Sequence, residues 1–228
     1  MMLQRLRWAV LALTLPLLAQ PGGPDLKALV ERFDAAQSRA ETIQTPFTLT
    51  IHRAMLRTPT VTKGTLYIQG SNYVHFAFTP PEDLILHLTP KALISYSPRS
   101  REGEILKIGF IKNANRKFLG LGQKLSYLSD YFELVPGESR EIPNTYFLKL
   151  LPRSLSMKRR FQAIHFWMDR DTSLPRQVLW IERSGDSWLL ELESIQVNQP
   201  IPNAVQGFKV PAGAEMQKGF SFFATRKK

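Results

Sequence analysis

The feature that most constrains this chain is a two-residue hydrophobic period that begins at Thr45. Phe47, Leu49 and Ile51 alternate with Thr48, Thr50 and His52, and Leu66 and Ile68 alternate with Thr65, Tyr67 and Gln69. Val74, Phe76 and Phe78 then alternate with Tyr73, His75 and Ala77, followed by Leu84, Leu86 and Leu88 and a short run at 93–96. Successive side chains of an extended backbone point to opposite faces, so each run presents one strongly apolar face. Turn formers separate the runs: Thr58-Pro59, Gly70-Ser71-Asn72, Pro80-Pro81-Glu82-Asp83, Thr89-Pro90 and Ser97-Pro98. Connections this short join antiparallel neighbours and leave no room for βαβ crossovers.

The second half has the same texture. It predicts strands over 131–135, 144–151, 160–168, 176–183 and 187–197, with a short one near 206–210. Pro136-Gly137 and Ser184-Gly185-Asp186 read as hairpin turns, and 169–175 as another. Val178 and Trp180, and then Trp188, Leu190 and Leu192, supply the apolar face there. No linker interrupts the series, which implies one domain over 20–228 built on one sheet of roughly ten strands.

Two segments depart from this period. Leu26, Leu29, Val30, Phe33 and Ala36 follow helical spacing behind Asp25, a plausible N-cap, with Lys27, Glu31, Arg32 and Asp34 on the remaining face. Phe118, Leu121, Leu125 and Leu128 also recur at helical spacing, but Gly120 and Gly122 interrupt them, each costing ~1 kcal/mol relative to Ala. A helix so weakened suits a movable lid, and equally a frayed connecting helix.

Arg5 and Arg7 precede a largely apolar stretch from Trp8 to Ala19, which is the layout of a secretory signal over residues 1–19 and too short for a span of ~20 apolar residues. An uncleaved anchor is the alternative. Export would place the chain in the periplasm of a two-membraned bacterium. The chain has no cysteine, so neither a disulfide nor a lipidated cysteine is available. Its net charge of +11 favours anionic partners, and export argues against nucleic acid. The basic residues are scattered over turns, consistent with a solvated surface or with transient contact at a membrane surface.

Catalytic chemistry finds few residues to work with. His52, His75, His87 and His165 fall within strands at no metal-ligand spacing, and partly exposed strand histidines are the simpler reading. Asp169 and Asp171 read as turn formers rather than an acid/base pair. There is no nucleophile elbow and no phosphate loop, and Gly120-Leu121-Gly122 lacks the context of one. The expectation is a non-catalytic protein without metal or cofactor. What the sequence offers is surplus apolar sheet, covered by a second sheet, by closure or by helices. One good helix and one weak one are available, so the concave side either encloses a cavity or is fully packed.

Gly64-Thr65-Leu66-Tyr67-Ile68, then Asn72-Tyr73-Val74-His75-Phe76, Pro80-Pro81, 84–88 and Leu93-Ile94-Ser95-Tyr96-Ser97-Pro98 together resemble the central block of the LolA family of periplasmic lipoprotein carriers. Phe166–Asp169, Leu174-Pro175, Val178, Ser184-Gly185-Asp186, Asn198, Phe208 and Val210-Pro211 resemble its C-terminal half. The resemblance covers about residues 25–215, each motif weakly specific and their order more so. It implies a mainly β fold: a curved antiparallel half-barrel, an unclosed β-barrel, capped by an N-terminal helix and a short lid helix.

It further implies a monomeric shuttle for acylated lipoproteins, loaded by an inner-membrane ABC transporter and emptied at an outer-membrane acceptor. The expected cavity lining is Leu29, Phe33, Phe47, Leu49, Ile51, Leu66, Ile68, Val74, Phe76, Phe78, Leu86, Phe118, Leu121, Leu125, Val178, Trp180, Trp188, Leu190 and Leu192. A one-residue slip in register would exchange the faces. The family's Arg-Pro turn, associated with lid closure and cargo release, is replaced by Gly70-Ser71, which leaves open a different lipid or glycolipid as cargo. A periplasmic enzyme or an interaction protein is the more distant alternative.

Overall fold

The structure is a computed structural model of the 228-residue chain, describing residues 25–70, 73–107, 121–219 and 221. Residues 1–19, Ser71 and Phe118 lie outside the described residues, and with them the signal segment, part of the Gly70-Ser71 turn and one expected lining side chain.

The alternating runs form the strands β1 (Thr42–His52), β2 (Thr60–Gln69), β3 (Tyr73–Phe78), β4 (Ile85–Leu88) and β5 (Ala92–Ser97), followed by β6 (Glu102–Lys107). The second half contributes β7 (Phe132–Gly137), β8 (Thr145–Pro152), β9 (Phe161–Asp169), β10 (Pro175–Glu182), β11 (Ser187–Leu192), β12 (Gln196–Val197) and β13 (Glu215–Lys218). They make one sheet in the order β13-β6-β5-β4-β3-β2-β1-β11-β10-β9-β8-β7, with β12 beside β1. The β1–β11 ladder, in which Phe47 faces Leu192 and Leu49 faces Leu190, joins the two meanders. Among the described residues no ladder joins the edges β7 and β13, so the barrel stays open.

Four differences from expectation have local causes. Among the described residues the sheet has thirteen strands rather than about ten, because β6 and β13 are charged and carry little alternation and the run expected over 187–197 divides into β11 and β12. β13 pairs parallel with β6, so the sheet is not a pure meander. The segment near 206–210 is not a strand: α4 spans Asn203–Gln206, and the chain runs on without regular structure through Val210. Pro136-Gly137 is not the turn itself but the end of β7, with the hairpin loop following it.

Helix α1 (Leu26–Arg39) begins as expected at Asp25, whose carboxylate accepts a hydrogen bond from the Lys27 amide at 3.1 Å. Leu29, Phe33 and Ala36 are buried, and Leu26 and Val30 pack half-buried beside them. Of the second helical pattern, the described residues form only α2 (Leu125–Ser129); Gly122 has φ +69°, a left-handed conformation incompatible with helix, so 121–124 enters α2 as irregular chain. A short helix α3 (Leu155–Arg160) joins β8 to β9. Among the described residues no helix is long and apolar enough to cross a membrane.

Candidate functional site

The concave face is built from the alternate residues of each strand. Pairing sets Leu66 opposite Phe76, Ile68 opposite Val74, Phe76 opposite Leu86, Val178 opposite Leu190 and Trp180 opposite Trp188. The Phe47 ring meets Phe76 and Phe78 edge-on, with centroids 5.2 and 5.1 Å apart. Gly64 makes this possible, since a Cβ there would approach the Phe47 ring to 2.8 Å. Every expected lining residue that is described belongs to one buried cluster, except Ile51, which packs half-buried at its margin.

That face is wider than the expected lining. Ile43, Leu88, Leu93, Leu148, Leu150, Ile164, Phe166 and Met168 join the same cluster. The alternation of 144–151 and 160–168 carries the signal for β8 and β9, but the expected lining stops short of those strands. Thr45 and Thr62 also fall on this face, each satisfied by a main-chain carbonyl: Thr45 Oγ1 donates to Glu193 O at 2.7 Å and Thr62 Oγ1 to Leu49 O at 3.4 Å.

Helices α1 and α2 close the concave side. Phe33 inserts against Phe166 edge-on at 5.3 Å, while Leu121, Leu125 and Leu128 fill beside it. Phe33, Leu66, Leu125, Leu128 and Phe166 are 0% exposed, so α1, α2 and the sheet pack closely against one another at these residues.

These two helices are tied by a residue assigned from sequence to the solvent face. Asp34 accepts hydrogen bonds from the amides of Leu125 at 2.7 Å and Ser126 at 3.3 Å. The residue at the N-cap position of α2, Lys124, offers no side-chain bond, so α1 caps α2. Nothing in the period of α1 distinguishes Asp34 from its charged neighbours. On the same face Trp180 Nε1 is buried without a hydrogen-bond partner among the described residues.

Two further features flank this face. At the rim beyond β7 and β8 a cavity of about 660 Å³ is lined by Pro136, Gly137, Glu138, Ser139, Arg140, Thr145, Tyr146 and Arg170. The Arg170 guanidinium lies 4.8 Å over the Tyr146 ring, whose hydroxyl accepts from Arg32 of α1 at 3.1 Å. On the convex side, His75 and His87 are not partly exposed as expected but 2% and 4% exposed, with Nδ1 atoms 3.0 Å apart. One ring donates and the other accepts. The Phe208 ring covers both, at 5.4 and 5.0 Å, and the Tyr73 hydroxyl donates to Val205 O. Burial pushes each imidazole down to about 4, and for His75 the neighbouring His87 adds to it. Among the described residues no group of three or more metal-ligating side chains forms. Asp169 is a turn residue as expected, accepting from the amides of Asp171 and Thr172 at 3.0 and 2.8 Å.

The geometry defines a class of fold: an open antiparallel half-barrel with an apolar, helix-covered concave face. Solved structures are similar to this chain. An uncharacterized conserved protein from Thermus thermophilus matches with TM-score 0.52 at 11% identity, over 85% of this chain and 98% of that one. A LolA superfamily protein from Nitrosomonas europaea matches with TM-score 0.43 at 9% identity, over 78% and 96%. The lipoprotein LppX of Mycobacterium tuberculosis matches with TM-score 0.43 at 12% identity, over 78% and 99%. For the Thermus thermophilus protein, at 11% identity, the likeness is one of fold alone. No protein-family model matches the sequence, and no curated protein matches it.

Proposed function

We propose that the chain is a non-catalytic periplasmic carrier that takes acyl chains onto its concave face, with lipoproteins as the cargo. The observation that carries this reading is the cover: a continuous apolar sheet is closed by two helices held to each other through Asp34. A core closed this way exchanges one apolar covering for another at low cost, because acyl chains bury the same surface that α1 and α2 release. The Trp180 N–H on that face supplies a donor for a cargo ester or amide carbonyl. Loading from an inner-membrane transporter and release to an outer-membrane acceptor belong to this proposal, as do a monomeric state and export through residues 1–19.

A second reading has its own support. Gly70 stands where the LolA family carries its latch arginine, which favours a carrier of a different lipid or glycolipid on the same fold. Native mass spectrometry of the protein isolated from the periplasm separates the two. Adducts with the mass of an acylated lipoprotein support the first, and free-lipid adducts the second. A bare protein, after isolation without detergent, contradicts both.

A further inference from the structure

We propose that one end of the half-barrel, made by the β1–β2 tip, α3 and the β10–β11 turn, docks on the surface of an anionic lipid bilayer. Strand register brings these parts together: His52 of β1 faces Ser187 of β11, and Glu182 of β10 faces Phe161, the residue after α3. Arg183 N donates to Arg160 O at 2.8 Å, and its Nε to Lys158 O at 3.2 Å, so the turn and α3 are bonded to each other.

Large apolar side chains protrude here. Met55 is 92% exposed, Leu56 61% and Leu155 76%. The tip that carries the first two is held in place, not loose. Asp186 accepts from the Ala54 amide at 2.9 Å and from the Arg53 guanidinium at 3.0 Å, and that guanidinium also lies 4.7 Å over the Trp188 ring. A rigid loop that keeps a Met and a Leu in water gains nothing from folding, and gains when they enter an apolar layer.

Cations surround them. Arg57 is on the tip, Lys158 and Arg159 are exposed on α3, and Arg183 is on the adjacent turn. The acidic neighbours Asp186 and Glu182 are already bonded to Arg53 and Arg160. Glu82 and Asp83 sit on the β3–β4 turn, set back along β2 because Thr79 pairs with Lys63, and Asp130 lies at the end of α2. Apolar tips ringed by Lys and Arg match a headgroup layer of net negative charge, with the charges staying in the headgroups as the tips enter. The C-terminal end of α2 is at this same end, where Arg153 donates to Tyr131 O at 2.9 Å and to Ser129 O at 3.2 Å. Docking would thus set the helical cover against the bilayer from which acyl chains come.

The purpose of docking rests on the carrier reading, but surface binding and cargo binding are read separately, so either can fail alone. The chain has no cysteine, so Met55→Cys, Leu155→Cys and the convex-face control Lys149→Cys each carry one environment-sensitive fluorophore. Protein purified from the periplasm is mixed with vesicles containing phosphatidylglycerol or phosphatidylcholine alone. The probes at 55 and 155 are expected to blue-shift with phosphatidylglycerol, while the probe at 149 stays unchanged. Lys158→Glu with Arg159→Glu should weaken that response by roughly tenfold or more, and salt should weaken it likewise. No shift at 55 and 155, a shift at only one of them, an equal shift at 149, or charge-reversed protein responding like wild type would each overturn the proposal.

Discussion

The tether between α1 and α2 leads to a local prediction. Asp34→Ala removes the acceptor for the Leu125 and Ser126 amides, bonded at 2.7 and 3.3 Å, from a helix that has no other side-chain cap. Loss of an N-cap acceptor costs ~1–2 kcal/mol, and the lost carboxylate was also well placed for the helix dipole. If the cover opens as a unit before the sheet unfolds, that cost appears as a fall of roughly 5- to 30-fold in amide-exchange protection over 121–131. The β9 strand, 161–169, lies deep in the sheet and should keep its protection. Asp34→Asn retains a neutral acceptor and should fall in between. Hydrogen exchange read by mass spectrometry resolves the two segments. Unchanged protection over 121–131 refutes the tether, and an equal fall in both segments refutes the cover as a separately opening unit.

Other outcomes follow from the inner face and from the buried histidines. Phe76→Asp and Leu190→Asp each set a carboxylate on the concave face, and binding of a fluorescent acyl probe should be lost while circular dichroism keeps its strand signature, because an acyl chain cannot solvate the charge. The paired imidazoles of His75 and His87 have folded values near 4, below the ordinary value of 6.5, so their contribution to stability is present above about pH 6.5 and is lost as pH falls toward 4. Urea unfolding should lose up to about 1 kcal/mol per pH unit per imidazole over that window, after allowance for solvent screening. His165 is also pushed down by burial and adds in the same direction, so the slope is read as the difference from a His75→Phe, His87→Phe double variant. An identical slope in that variant would contradict the buried pair.

What was legible in the sequence was what periodicity can carry. The alternation of Phe47, Leu49 and Ile51 with threonines placed β1 and its face, and the same pattern in β2, β3, β10 and β11 marked the faces that meet in Leu66–Phe76 and Trp180–Trp188. Leu29, Phe33 and Ala36 marked the covering face of α1. The edge strand β13 and its neighbour β6 were missed because their charged sequences, Glu-Met-Gln-Lys and Glu-Gly-Glu-Ile-Leu-Lys, carry little alternation at this margin of the sheet. Asp34 was missed because its role comes from a helix about ninety residues away in sequence. The buried state of His75 and His87 was missed because it depends on Phe208 returning across the convex face of β3 and β4. Local pattern assigns faces, and tertiary contacts decide which polar residues on them are used.

Whether the concave face receives acyl chains can be read residue by residue with photocrosslinking. An acylated lipopeptide carrying a diazirine in its acyl chain is bound and irradiated, and the labelled residues are mapped by mass spectrometry. Labels are expected on inward-facing residues of β1, β10 and β11, such as Leu49, Val178 and Leu190, together with Phe33 or Leu125 of the displaced cover. Labels confined to outward-facing residues such as Thr48 and Glu191, or no labelling of the folded protein, would contradict a carrier that works through this face.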